Sequence, residues 1–322
     1  MKIIILLLLF SLLLSGCSEP IEEPYVEPPE FQDAKQQMFE NSLELNGWKN
    51  PTLLSEINSI GWEDGAYISP DGLSIYFAYF QGDLIGFVMN GVKEFEKYKK
   101  GPQRGVNPAG TIDVFVSYKL KEKNFWSEPT KIKYSEDLWS EGGAMISEDK
   151  LYYMSNKKIG DNPINDDIYV DGRHIEGALN TIYDEEDPHA INNGLFFWSE
   201  QRPCEFSGKN IWYSELINEE WSEPVCLPSP INNNTDNYQP FLTADNTLYF
   251  TSARAEPQGI YKSKRVNGIW EEPIRIITPS SPNIAAVGEP TLTNDGRYLY
   301  FVVIFHKEWK EFDADIAFVE AA

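Results

Sequence analysis

Residues 67–77 read Y-I-S-P-D-G-L-S-I-Y-F, and residues 291–301 read T-L-T-N-D-G-R-Y-L-Y-F. Three looser copies lie between them: M-I-S-E-D-K-L-Y-Y (145–153), H-A-I-N-N-G-L-F-F (189–197) and F-L-T-A-D-N-T-L-Y-F (241–250). Each copy is an apolar run, a Ser/Thr/Asn step, a turn of the Asp-Gly kind, and a second apolar run ending in aromatics. Such a pattern makes two β-strands joined by a tight hairpin. Recurrence about every 50 residues marks a propeller or solenoid, in which each unit buries its face against the next.

Two further phrases complete the unit. Asp113-Val114-Phe115, Asp167-Ile168-Tyr169, Asn210-Ile211-Trp212, Gly259-Ile260-Tyr261 and Asp315-Ile316-Ala317 each start a third strand. Trp126…Pro129, Trp221…Pro224 and Trp270…Pro273 mark a fourth. Four antiparallel strands make a propeller blade. The second unit has I-E-G-A-L-N (175–180) in place of its Trp motif, and the fifth stops at Ala322 after its third strand. The missing strand stands at the other end of the chain, around Gly47-Trp48-Lys49-Asn50-Pro51. The spacing from this proline to the next inner strand, Pro51 to Ala66, matches Pro129 to Ala144, Pro224 to Pro240 and Pro273 to Pro290. The expectation is an all-β fold: a five-bladed β-propeller of four-stranded antiparallel blades, its ring closed by an N-terminal strand near 45–54. Closure removes the open sheet edge that invites aggregation.

The S-P-D-G-x-x-I-Y-F and T-N-D-G-x-x-L-Y-F phrases resemble the WD40-like, Pro-Asp type repeat of TolB-type periplasmic propellers. The resemblance spans about residues 45–322 and implies a propeller. TolB-type proteins carry six blades and an extra N-terminal domain, so a role in their export system does not carry over.

The first residues resemble a processing signal. Residues 3–14 are apolar but too short to span a bilayer with ordinary flanks, and Leu14-Ser15-Gly16-Cys17 resembles a bacterial lipobox. This implies a signal peptide over 1–16 and diacylglycerol on Cys17. Ser18, where an Asp would resemble an inner-membrane retention signal, favours the outer membrane over the inner. Residues 17–36 are rich in Pro and Glu and read as a tether, leaving 37–322 as the propeller domain. The expected protein is therefore exported to the cell envelope, monomeric and held to the membrane through its lipid.

With 50 acidic against 27 basic residues the net charge is −23. Such a surface repels phosphate backbones, so nucleic acid is not an expected partner. Cys204 and Cys226 are predicted to pair, because the end of a fourth strand meets the start of the third, and exported proteins keep disulfides.

Inner strands of a propeller start on one face, and the loops between second and third strands open on that face too. Glu63-Asp64, Glu141, Glu186-Asp187, Asp236 with Gln239, and Glu289 all stand just ahead of the inner strands. The long 81–111 loop, with Phe87, Tyr98, Lys99, Lys100 and Arg104, overhangs the same face. Asp64, Glu141, Asp187, Gln239, Glu289 and Arg104 are thus the candidate ligand-binding set at a central mouth, with simple solvation of the mouth as the alternative. Converging carboxylates have raised pKa values or hold a cation such as Ca²⁺, although no calcium-loop spacing is present and no other cofactor is implied. His189 sits on an inner strand and reads as a packed residue.

Two functions fit this pattern. One is a non-catalytic binding platform for an envelope protein, a peptide or a glycan. The other is a glycoside hydrolase or lyase, because five-bladed propellers resemble the scaffold of arabinanase-like glycosidases. Asp64, Glu141, Asp187 and Glu289 would then supply the acid and the base or nucleophile. A serine peptidase is disfavoured, since no Gly-x-Ser-x-Gly elbow occurs.

Overall fold

A computed structural model of the chain describes residues 29–59, 61–90, 111–120, 125–160 and 164–322. The lipobox with Cys17, and the loop residues Tyr98, Lys99, Lys100 and Arg104, lie outside them.

Among the described residues the chain forms five antiparallel sheets, each one blade. The inner strands are Trp62–Ile68, Glu141–Ser147, Glu186–Ile191, Asn237–Leu242 and Ile284–Leu292. Each turns through its repeat phrase into a second strand, from Ser74–Phe80 in blade 1 to Tyr298–Lys307 in blade 5. Third strands follow, from Asp113–Leu120 to Glu311–Ala321. The repeat phrase supplies the core through its period of two. Ile75, Leu195, Leu248 and Leu299 are fully buried, as are Phe77, Phe197, Phe250 and Phe301 two residues on. Each such side chain contributes roughly 1.5–3 kcal/mol of transfer free energy, and together they fill the layers between blades.

The ring closes as the sequence implies. Trp48–Leu53 pairs with Glu311–Ala321 and supplies the outer strand of blade 5. A second N-terminal strand, Leu43–Leu45, pairs with Ile274–Pro279 at the outer edge of blade 4. The N-terminal segment therefore staples two blades rather than one.

Blade 2 has a two-residue outer strand, Arg173–His174, as short as those of blades 1 and 3. Asn180, which ends its I-E-G-A-L-N segment, takes over part of the pairing. Its Oδ1 accepts from Ile168 N at 2.8 Å, and its Nδ2 donates to Ile168 O at 2.8 Å and Ile175 O at 2.9 Å. Asn232 does the same for Ile211, and Asn58 for Ile316.

Part of the stretch read as a tether is helical. Helix α1, Pro29–Glu40, begins inside the Pro/Glu-rich stretch and docks on blade 5. Phe39 is fully buried against Phe301 and Phe305. Lys35 lies 2.5 Å from both Asp313 and Asp315, and Gln36 bonds Pro51 O and Leu53 N. One apolar side chain and one buried ion pair outweigh the polar composition of this segment. A second helix, α2 (Leu84–Asn90), opens the long loop of blade 1. No helix among the described residues is long and apolar enough to cross a membrane.

Candidate functional site

Every inner strand carries a β-bulge at the same place. The pairing register breaks between Asp64 and Tyr67, Gly142 and Met145, Glu186 and His189, Tyr238 and Phe241, and Gly288 and Thr291. The first bulged residue has positive φ in all five: Gly65 (+59°), Gly143 (+54°), Asp187 (+48°), Gln239 (+55°) and Glu289 (+59°). A bulge re-aims its side chain, and here these five positions line the central channel. Non-glycine residues rarely adopt this backbone, yet three of the five positions hold a charged or amide side chain.

Three of the sequence-selected residues, Asp187, Gln239 and Glu289, are thus equivalent members of one ring, and Asp64 adjoins its Gly65. Glu289 joins three blades. Its Oε2 accepts from Gly65 N and from Ala66 N, and its Oε1 accepts from Gln239 Nε2 at 2.8 Å. Gln239 Oε1 in turn accepts from Thr251 Oγ1 at 2.7 Å. Asp64 accepts from Trp62 Nε1 at 2.5 Å, and Asp187 from Trp198 Nε1 at 2.7 Å. Burial pushes the Asp64 carboxyl up to about 7, against the Trp62 hydrogen bond, and nearby Asp187 adds to the rise. Burial, then the charges of Asp64 and Asp187, push Glu289 well above the usual carboxylate range. Asp187 is raised by burial and held back by Trp198 and Lys209. The three buried acids raise one another's affinity for protons, so their titrations are linked.

Glu141 does not join them. It is buried beside its own loop, where it accepts from Ser135 Oγ at 2.8 Å, Glu136 N at 3.2 Å and Ser155 Oγ at 3.2 Å. Glu63 and Glu185 stand at the equivalent position two residues before the bulge, and each binds a Ser or Thr of its incoming loop. These carboxylates tie loops to inner strands. Burial lifts Glu141 to about 8. Among the described residues, Lys209 brings a positive charge to bear on Asp187. Its Nζ lies 4.6 Å from the Trp198 ring and 4.7 Å from the Tyr238 ring. It was missed because it precedes a third strand, away from the inner strands. Among the described residues no group of three or more His, Cys, Asp or Glu side chains converges closely enough to hold a metal ion.

The space on the two sides of the ring differs greatly. The cavity lined by Asp187, Gln239 and Glu289 measures about 50 Å³. On the opposite face, where the Asp-Gly hairpins stand, a basin of about 1070 Å³ opens. The wider of these two spaces, among the described residues, is thus on the face that the sequence reading assigned to architecture alone. Tyr67, Met145, His189 and Phe241 line both spaces and form the partition between them. His189 is packed as expected: its ring centroid lies 4.5 Å from that of Phe241, and Nε2 donates to Leu242 O at 2.9 Å. Burial lowers its pKa to about 4, so it is neutral and holds that proton. Asp71, Asp245 and Asp295 on the basin rim each accept from the Ser or Thr two residues earlier at 2.6 Å. One of their oxygens therefore serves the turn while the side chain still borders the basin.

Cys204 and Cys226 are joined in a disulfide within blade 3, with Cα atoms 6.0 Å apart.

No family model matches the chain, and no curated protein matches it. Similar folds occur among solved structures. One is that of BT0996 in an RGII complex; it has a TM-score of 0.51 and 8% identity over 91% of this chain and 96% of that protein. Another, a glycoside hydrolase, also has a TM-score of 0.51 and 8% identity, over 89% and 95%. TolB from Acinetobacter baumannii overlaps less well, at TM-score 0.38 and 13% identity over 78% of this chain and 67% of that protein. At these identities the likeness is one of fold, and the fold is a five-bladed β-propeller.

Proposed function

We propose that this chain is an exported, lipid-anchored binding protein whose non-catalytic propeller holds a protein, peptide or glycan ligand in the hairpin-face basin. One observation carries the reading. The polar ring faces a cavity of about 50 Å³ and is committed to bonds between blades, whereas the basin offers about 1070 Å³. Ligand sites are concave spaces of several hundred Å³ with apolar walls and a few placed polar groups. The basin has an aromatic floor in Tyr67, Phe241 and Tyr249 and a polar rim that includes Glu148, Asp149 and Asn192. Export and anchoring rest on the apolar run and Leu14-Ser15-Gly16-Cys17. Envelope location, preferably at the outer membrane, follows from the same residues.

The second reading, a glycoside hydrolase or lyase, is favoured by the mutual influence of Asp64, Asp187 and Glu289. One experiment separates the two. The protein is screened against envelope and plant polysaccharides and a peptide panel, reading both binding and release of reducing ends. Loss of binding in Glu148→Lys and Asn192→Lys, with Asp187→Asn and Glu289→Gln still binding, supports the basin. Release of reducing ends that Asp187→Asn or Glu289→Gln abolishes overturns it in favour of the hydrolase.

A further inference from the structure

The exposed apolar side chains are not spread evenly over the loops. Val88 and Met89 lie on α2 in the loop between the second and third strands of blade 1. Leu138 stands in the loop entering blade 2, Ile164 in the second-to-third-strand loop of blade 2, and Ile182 in the loop entering blade 3. Trp309 tips the hairpin joining the second and third strands of blade 5. All six are at least 64% exposed. Blade topology puts every one of these loops on the channel-mouth face, opposite the basin. The other large exposed apolar residues, such as Ile217, Ile269 and Ile274, belong to third and outer strands.

The N-terminal helix reaches the same face. Lys35 meets Asp313 and Asp315 just past the blade 5 hairpin that carries Trp309. Asp33 shares a pocket with Ser55 and Asn58, in the loop entering blade 1. Met38 meets Asn283, in the loop entering blade 5. The chain before Pro29 therefore leaves from the mouth face. Only a dozen residues lead from Cys17 to that point, a reach of roughly 40 Å even if fully extended.

We infer that the mouth face is apposed to the membrane, with the apolar loop tips of blades 1, 2 and 5 and the loop into blade 3 seated in the lipid interface. The occupant is a lipid surface because the chain that leads to the proposed anchor at Cys17 leaves from this face, which holds the bilayer within a short reach of it. Interfacial binding grows with the apolar area inserted, and a tryptophan at a hairpin tip suits the headgroup level. One lipid anchor gains strongly from a second contact of this kind. The net charge of −23 leaves hydrophobic insertion, rather than attraction to anionic lipid, as the source of binding. The basin then opens away from the bilayer. The inference rests on the anchoring part of the functional reading, not on the identity of the basin ligand.

The test uses the full chain, processed in cells and reconstituted in vesicles of phosphatidylethanolamine and phosphatidylglycerol. Leu138→Cys, Ile182→Cys and Trp309→Cys, with Ile217→Cys and Ile269→Cys as controls, are each labelled with a nitrobenzoxadiazole dye. The expected result is a blue shift and severalfold quenching by nitroxide lipid for the loop labels, with the controls unchanged. Equal quenching at loops and controls overturns the inference, as does protein that fails to sediment with vesicles. A blue shift without lipid quenching means that a protein covers this face and also overturns it. Ligand binding in the basin is read separately on the same variants. Its loss without change at the loop labels marks a failure of the basin reading alone.

Discussion

Gly143→Ala is the sharpest test of the channel ring. The position has φ +54°, where a Cβ meets the following carbonyl, at roughly 1–2 kcal/mol for an L-residue. A Cβ there would also stand 2.7 Å from Asp187 Oδ1 and 2.9 Å from Asp187 Cα. The first atom belongs to a side chain held by Trp198 and the second to backbone, so neither yields freely. Overpacking of this kind costs about 1–3 kcal/mol. The expected loss is therefore about 2–5 kcal/mol, or some 3–8 °C in Tm for a domain of this size. Gly47→Ala is the control. Its φ is +81°, but no atom lies within 4 Å of the added Cβ, so only the backbone strain of about 1–2 kcal/mol applies. Urea unfolding at unchanged slope measures both. Equal losses in the two variants would refute the close approach of blades 2 and 3 across the channel.

Further outcomes follow from the same contacts. Burial raises Glu141 to about 8 and Asp64 to about 7, so the folded chain keeps protons that the unfolded chain releases above about pH 4. The urea midpoint is therefore expected to fall as pH rises from 5 to 8 and to fall less steeply in Glu141→Gln; a rising profile would contradict the burial. Asn180→Ala removes three hydrogen bonds to the third strand and outer edge of blade 2 and is expected to lower stability by about 1–3 kcal/mol. Faster amide exchange confined to Ile168 and Ile175 would locate the loss. Replacing Cys204 and Cys226 together by Ser opens a link across 22 residues, worth about 3 kcal/mol by loop-closure entropy. An unchanged melting temperature would show that the unfolded chain is not constrained by this bond.

Hairpins, blade number and ring closure were legible because they follow from local rules repeated five times. A turn pair sets each hairpin, a period of two sets each core face, and a missing Trp motif at one end is matched by Trp48 at the other. The bulge was not legible as such, although its residues were. Gly65-Ala66, Gly143-Ala144, Asp187-Pro188, Gln239-Pro240 and Glu289-Pro290 align in the spacing, but only the pairing register reveals that the first of each pair turns into the channel. Glu141 looked equivalent to Glu289 because both precede inner-strand cores. A shift of two residues puts one against its loop and the other in the channel. The asparagine clamps had an unread signal: Ile57-Asn58, Leu179-Asn180 and Ile231-Asn232 each stand seven residues before a ring position. Helix α1 was hidden by composition, since Phe39 and Lys35 find their partners more than 250 residues away.

The ring also bears on which face does the work. A bulge that needs positive φ is satisfied most cheaply by glycine, as in blades 1 and 2. Blades 3, 4 and 5 accept the strain of Asp187, Gln239 and Glu289, and the last two use their polar atoms to bind neighbouring blades. Blade 5 is assembled from both ends of the chain, and its junction with blade 1 completes the ring. Glu289 sits at that junction, accepting from the backbone of Gly65 and Ala66. Its strain and its raised pKa are accounted for by closing the ring, with no substrate required. The hairpin-face basin also carries ties between blades, from Tyr67 Oη to Ile146 O, from His189 Nε2 to Leu242 O and from Asn294 N to Pro70 O, yet these leave about 1070 Å³ open between the hairpins, which is the space the proposed function assigns to a ligand.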